Sequence, residues 1–82
     1  MSSQTIKDRV RAFIDPNLLF PARYSDSDDI FALGLVREEF AMQLVNFLES
    51  AFQISVYSED LQLENFRSVN IIEEFVLRKQ RK

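Results

Sequence analysis

Apolar residues along the chain fall into three stretches with helical spacing, separated by polar segments that carry both prolines. The central stretch organises the rest. It opens with the apolar anchor Asp29-Ile30-Phe31-Ala32-Leu33-Gly34-Leu35-Val36, turning at the only glycine of the chain. An amphipathic helix over about residues 38–52 is predicted to follow, with Phe40, Leu44, Phe47, Leu48 and Ala51 recurring at intervals of three and four on one buried face. The first turn of that helix, Arg37, Glu38 and Glu39, must then face outward.

The N-terminal stretch places Ile6, Val10, Phe13 and Ile14 on one stripe, with Ser2 or Ser3 available to cap the helix. That helix should stop near Asp15, because Pro16 disfavours helical geometry in the residue before it. Residues 16–33 read as a long connection, with a short helical turn near residues 16–20 and the apolar anchors Leu18, Leu19, Phe20, Ile30 and Phe31 pinning it. Beyond the central helix, Ile54-Ser55-Val56 suggests a brief extended run. A short helical segment is expected from Ser58 through Leu63, held by burial of Leu61, Leu63 and Phe66 and the most mobile part of the chain. The last helix has Ser68 or Asn70 as its cap, Glu73 three residues after Asn70 as a capping-box partner, and Ile71, Ile72, Phe75 and Val76 as its buried stripe. Arg78, Lys79, Arg81 and Lys82 follow, where basic residues complement the helix dipole. Periodicity alone gives a small all-α bundle.

Composition narrows the chemistry. The 82 residues suffice for one core and one domain, 1–82. With neither cysteine nor histidine, the chain can form no disulfide, no zinc site of the usual nitrogen and sulfur type, and none of the common nucleophile and base pairs, so eight phenylalanines must supply the packing. An enzyme is not expected. Asp26, Asp28 and Asp29 look like part of a calcium loop but lack the glycine at its sixth position and the glutamate at its twelfth. Glu38 and Glu39 are adjacent on a helix and point about 100° apart, so they do not converge on one reacting atom. A formal charge of −3 has the wrong sign for a nucleic-acid binder, and no apolar run approaches the roughly 20 residues of a membrane span. A soluble cytoplasmic protein is the expectation.

Two further segments join the central anchor in a full-length pattern: Phe47-Leu48-Glu49 at the end of the central helix, and Asn65-Phe66-Arg67-Ser68-Val69 before the last one. Together they resemble the acyl carrier protein family, in particular its small discrete members. The resemblance implies an all-α, four-helix carrier bundle, with three longer helices, one short helix and a long loop between the first two. It implies service to polyketide, nonribosomal-peptide or fatty-acid-type biosynthesis, with partner enzymes docking on the second helix. In the family the glycine is followed by Asp-Ser-Leu, and the serine carries a 4'-phosphopantetheine arm. Here positions 37–39 read Arg-Glu-Glu, with Glu38 standing where that serine would be. A carboxylate does not offer the hydroxyl that attacks the pyrophosphate of coenzyme A. Ser27, in the dipeptide Asp26-Ser27, lies before the anchor and reads as a loop residue.

By resemblance the docking residues are Leu35, Val36, Arg37, Glu39, Met42 and Val45, although Met42 is also ordinary core filler. The expected function is a diverged or deliberately altered carrier acting through protein contacts as a monomer. Two rival readings stay open. One is a non-carrier interaction module, including an oligomer formed by helix exchange through the long connection. The other is a pocket for an acyl chain or other apolar ligand between the second and third helices, walled by Leu61, Leu63 and Phe66.

Overall fold

Three α-helices, α1 (Ser3–Ile14), α2 (Phe40–Phe52) and α3 (Val69–Arg81), form the framework of the computed structural model, which describes residues 3–81. Among the described residues there is no strand. The helices bury the faces that their spacing dictates. Ile6, Val10 and Ile14 line the inner face of α1; Phe40, Leu44, Val45, Leu48 and Phe52 that of α2; Val69, Ile72, Phe75 and Val76 that of α3. The radius of gyration, 11.8 Å, matches the roughly 12 Å of a folded domain of this length.

Some stripe residues sit at the edge of the core instead of inside it. Phe13, Phe47 and Ala51 are half-buried and pack against the core, as does Phe31. Phe13 stacks on Phe47 with ring centroids 4.4 Å apart and on Phe40 at 5.5 Å, joining α1 to α2 through aromatic faces. Ile71 is likewise half-buried, while Val69 takes a fully buried place in α3.

Pro16 ends the first helix as expected. α1 tightens after Ile14 into a 3-10 turn, Asp15–Asn17, and the Asn17 amide donates to the Phe13 carbonyl at 2.9 Å. Of the two cap candidates at the start of α1, Ser2 lies outside the described residues and Ser3 is the first residue of the helix.

The connection from α1 to α2 is tied at both flanks. The Ile30 N–H donates to the Arg67 carbonyl (2.8 Å) and the Asn70 N–H to the Asp26 carbonyl (3.0 Å), so the chain just before and at the start of α3 holds it. From α1, Arg11 donates to the Asp26 carboxylate at 2.6 Å and to the Tyr24 carbonyl at 3.1 Å. Residues 29–35 form one helical turn. The Asp29 carboxylate accepts the N–H groups of Phe31 (3.0 Å) and Ala32 (2.9 Å), which starts the turn. Its end is a Schellman pattern, with Leu35 N–H to the Ile30 carbonyl and Gly34 N–H to the Phe31 carbonyl. Gly34, at φ +70°, occupies the left-handed position that this pattern needs.

The expected short helix after α2 is replaced by two 3-10 turns, Ser58–Asp60 and Leu63–Asn65. Gln62, between them, is extended (φ −128°, ψ 138°) and breaks any continuous helix. Local side chains favour this arrangement: Asp60 accepts the Tyr57 N–H at 3.0 Å, and the Asn65 amide donates to the Asp60 carbonyl at 2.8 Å. Burial of the segment is also less than expected, since Leu61 and Leu63 remain 45% and 43% exposed and only Phe66 enters the core. Ile54 is buried and Ser55 exposed in the run before it, consistent with an extended segment.

For α3 the cap is Ser68, whose buried hydroxyl accepts the Ile71 N–H at 3.2 Å; Asn70 lies inside the helix. Glu73 faces Lys7 of α1 at 4.0 Å and so bridges two helices.

Candidate functional site

Residues 37–39 form the turn that leads into α2. The N–H groups of Phe40, Ala41 and Met42 donate to the carbonyls of Arg37, Glu38 and Glu39, three residues back in each case. This 3-10 geometry moves the start of the regular α-helix to Phe40, two residues later than the spacing suggests. All three side chains are exposed. No carboxylate lies within ion-pair distance of Arg37 among the described residues, and no side chain caps the helix start. Leu35 and Val36, just upstream, are each only 5% exposed and anchor the turn in the core.

The remaining residues expected to dock partners divide by position. Val45 is buried, while Met42 is 55% exposed, one turn along α2 from Glu38. Of the apolar residues expected to dock partners, Met42 alone is exposed while Leu35, Val36 and Val45 are buried, and Leu33, which is not among them, is exposed as well. On another side of the turn, Leu19 donates its N–H to the Leu35 carbonyl at 2.8 Å and remains half-exposed. It shares an open cavity of about 230 Å³ with Asn17, Arg37, Glu39, Phe40 and Gln43. Leu19 reads in sequence as an anchor, and no feature of residue type distinguishes an anchor from an exposed apolar side chain.

Met42 and Val45 meet Leu61, Leu63 and Phe66 across a small cleft between α2 and the 3-10 segment. Ala41 and Gln62 complete its lining, and its volume is about 80 Å³. The cleft thus unites the proposed apolar walls with part of the proposed docking surface. It is far below the roughly 300–1,000 Å³ of a typical small-molecule pocket.

The outer wall of the cleft is fastened to α3 by one ion pair, Asp60 to Lys79 at 2.5 Å. Lys79 also lies over the Tyr57 ring, 4.5 Å from its centroid. The Lys79 ammonium, helped by the Tyr57 N–H, holds the Asp60 carboxyl below the ordinary carboxylate range.

The acidic loop does not assemble a cation site. Asp26 is engaged by Arg11 and Lys7, Asp28 accepts the Ser25 N–H, and Asp29 caps its own turn. Among the described residues, no group of three or more acidic side chains could hold a metal ion. Ser27 lies exposed in the turn beside Ser25, with the two hydroxyls 3.1 Å apart. The 4'-phosphopantetheine arm that the resemblance implies does not fit the exposed turn before α2, since Arg37, Glu38 and Glu39 offer no hydroxyl for a phosphodiester.

Compared with known proteins, the chain matches no family model and no curated protein. No helix among the described residues is long and apolar enough to cross a membrane.

Proposed function

We propose that this chain is a non-catalytic, carrier-type docking module, a relative of acyl carrier proteins that engages cytoplasmic biosynthetic enzymes through the turn before α2 and cannot be primed there. The observation that carries the reading is the position of Glu38: exposed, in the turn before the central helix, two residues after the buried anchor Leu35-Val36. The architecture supports it. Three α-helices and a long tied connection are present, with two 3-10 turns, Ser58–Asp60 and Leu63–Asn65, between α2 and α3. Arg37, Glu38, Glu39, Met42 and Leu33 offer a mixed charged and apolar surface to a partner. On this reading the cleft between α2 and residues 57–66 receives an apolar chain.

The test is intact mass after incubation with coenzyme A and a promiscuous phosphopantetheinyl transferase, for the parent and for Glu38→Ser. The expected result is one arm on Glu38→Ser and none on the parent. An arm on the parent overturns the claim that priming is blocked. No arm on either protein means that the transferase does not recognise this surface, and the carrier reading falls.

A further inference from the structure

A further cavity opens where the chain leaves α2 and passes the last turn of α3, and no residue of the turn before α2 lines it. Its volume is about 280 Å³, close to the lower end of the roughly 300–1,000 Å³ of small-molecule pockets. Gln53, Ile54, Ser55, Tyr57, Arg78 and Lys79 form its walls. The left-handed Gln53 (φ 54°) turns the chain out of α2 and brings residues 54–57 beside the basic end of α3. Both cations there are held in place. The Arg78 guanidinium lies over the Phe75 ring, 5.4 Å from its centroid, and Lys79 lies over Tyr57 while paired with Asp60. Only Lys79 has its charge answered. Asp60 is engaged by Lys79 and by the Tyr57 N–H, Glu49 accepts the Val56 N–H, and among the described residues no carboxylate lies within ion-pair distance of Arg78. The Ser55 N–H and hydroxyl likewise have no partner among the described residues.

We propose that this cavity binds a small monocarboxylate, with Arg78 as the charge-pairing residue. The planar guanidinium offers two parallel N–H groups that match the two oxygens of a carboxylate, while the Ser55 N–H and hydroxyl and the Gln53 amide supply neutral donors from the α2 side. The charge count sets the class of anion. Arg78 brings one unanswered positive charge, and the Asp60 carboxylate and the carbonyl ends of α2 and α3 add negative potential nearby. A single negative charge is therefore neutralised and a second is repelled, which favours a carboxylate over a phosphate dianion. Ile54, the Tyr57 ring and the stems of Arg78 and Lys79 provide apolar surface for a short aliphatic or aromatic body. In sequence the basic last turn reads only as a complement to the helix dipole. What sets Arg78 apart from Arg81, which does not line the cavity, is the arrival of residues 53–57 beside it. The inference does not rest on the carrier reading.

The experiment titrates benzoate, benzyl alcohol and phenyl phosphate into the isotope-labelled parent, Arg78→Gln and Arg81→Gln at constant ionic strength, following the Ser55 backbone amide and the Gln53 side-chain amide by NMR. A pH of about 8 keeps phenyl phosphate a dianion. Benzoate is expected to shift both signals saturably and to bind the parent about tenfold more tightly than benzyl alcohol does. Arg78→Gln should raise the half-saturation by benzoate about tenfold, and Arg81→Gln, the same change of charge outside the cavity, should leave it within about twofold. No saturable shift at either signal overturns the site. Equal affinity for benzyl alcohol overturns charge pairing, a comparison made on the parent and independent of how any variant folds. Phenyl phosphate that binds more tightly than benzoate overturns the choice of a monocarboxylate. A loss in Arg78→Gln no larger than that in Arg81→Gln overturns Arg78 as the partner and assigns the effect to the general field of the basic turn. None of these outcomes alters arm transfer to Glu38→Ser, so the carrier reading stands or falls on its own measurement.

Discussion

Two residues in the described chain adopt positive φ, and only one of them is a glycine. Gly34 closes the turn before α2 at φ +70°, and a single glycine between apolar anchors announces such a turn in sequence. Gln53 ends α2 at φ 54°, ψ 51°, a position for which a side chain with a Cβ costs about 1–2 kcal/mol. Gln53→Gly is therefore expected to stabilise the protein by about 0.5–1 kcal/mol, read as a higher urea midpoint at unchanged slope. A β-branched Gln53→Val should lower the midpoint instead. The stop at Phe52 is legible as the end of the apolar spacing, but nothing in a glutamine marks a left-handed cap. The same limit applies at the candidate site, where leucine, valine and methionine have similar hydrophobic character. Leu35 and Val36 turn inward and Leu33 outward at the turn closed by Gly34, while Val45 and Met42 take opposite sides of α2 by helix phase, and residue type alone distinguishes none of them.

Among the elements, α3 is the one most fully written in its sequence. Its cap, its apolar stripe and its basic last turn can each be read in order, and the choice between Ser68 and Asn70 falls to Ser68 because its hydroxyl reaches the Ile71 N–H. Ser68→Ala leaves that N–H without its partner in a buried setting and is expected to cost about 1 kcal/mol, measured by chemical unfolding. Asn70→Ala removes no cap and should cost less. Residues 58–66 were the least legible. Leu61 and Leu63 alternate with polar residues, a spacing that neither helix nor strand periodicity resolves over so few positions. Their geometry was decided by side chains bonding to nearby backbone, Asp60 to Tyr57 and Asn65 to Asp60, which tightened two separate turns where propensity suggested one short helix.

At the scale of the whole molecule, the arrangement depends on a cluster that joins α1 to the long connection. Tyr24 is buried, donates its hydroxyl to the Asp15 carboxylate at 2.7 Å, and stacks under the Arg11 guanidinium at 4.3 Å. Burial, with the bond to Asp15 second, pushes the Tyr24 phenol well above its ordinary value near 10, while Arg11 opposes the shift. The folded state thus holds a proton that the unfolded chain releases above about pH 10. Stability from this group is fully present below that pH and is lost as pH rises beyond it. Tyr24→Phe should be less stable than the parent at pH 7 by about 1 kcal/mol, and the gap in melting temperature should narrow above about pH 10. None of these partnerships was visible in sequence, because Arg11, Asp15, Tyr24 and Asp26 are brought together only by the path of the connection. That path also dictates an order of assembly. The bonds from Ile30 to Arg67 and from Asn70 to Asp26 span α2 entirely in sequence, so closing them early would require a large loop to lose its freedom before any packing compensates. Those two ties to the start of α3 are therefore expected to close late in folding, whereas the turn at 29–35 is closed by its own local hydrogen bonds and needs no distant partner to form.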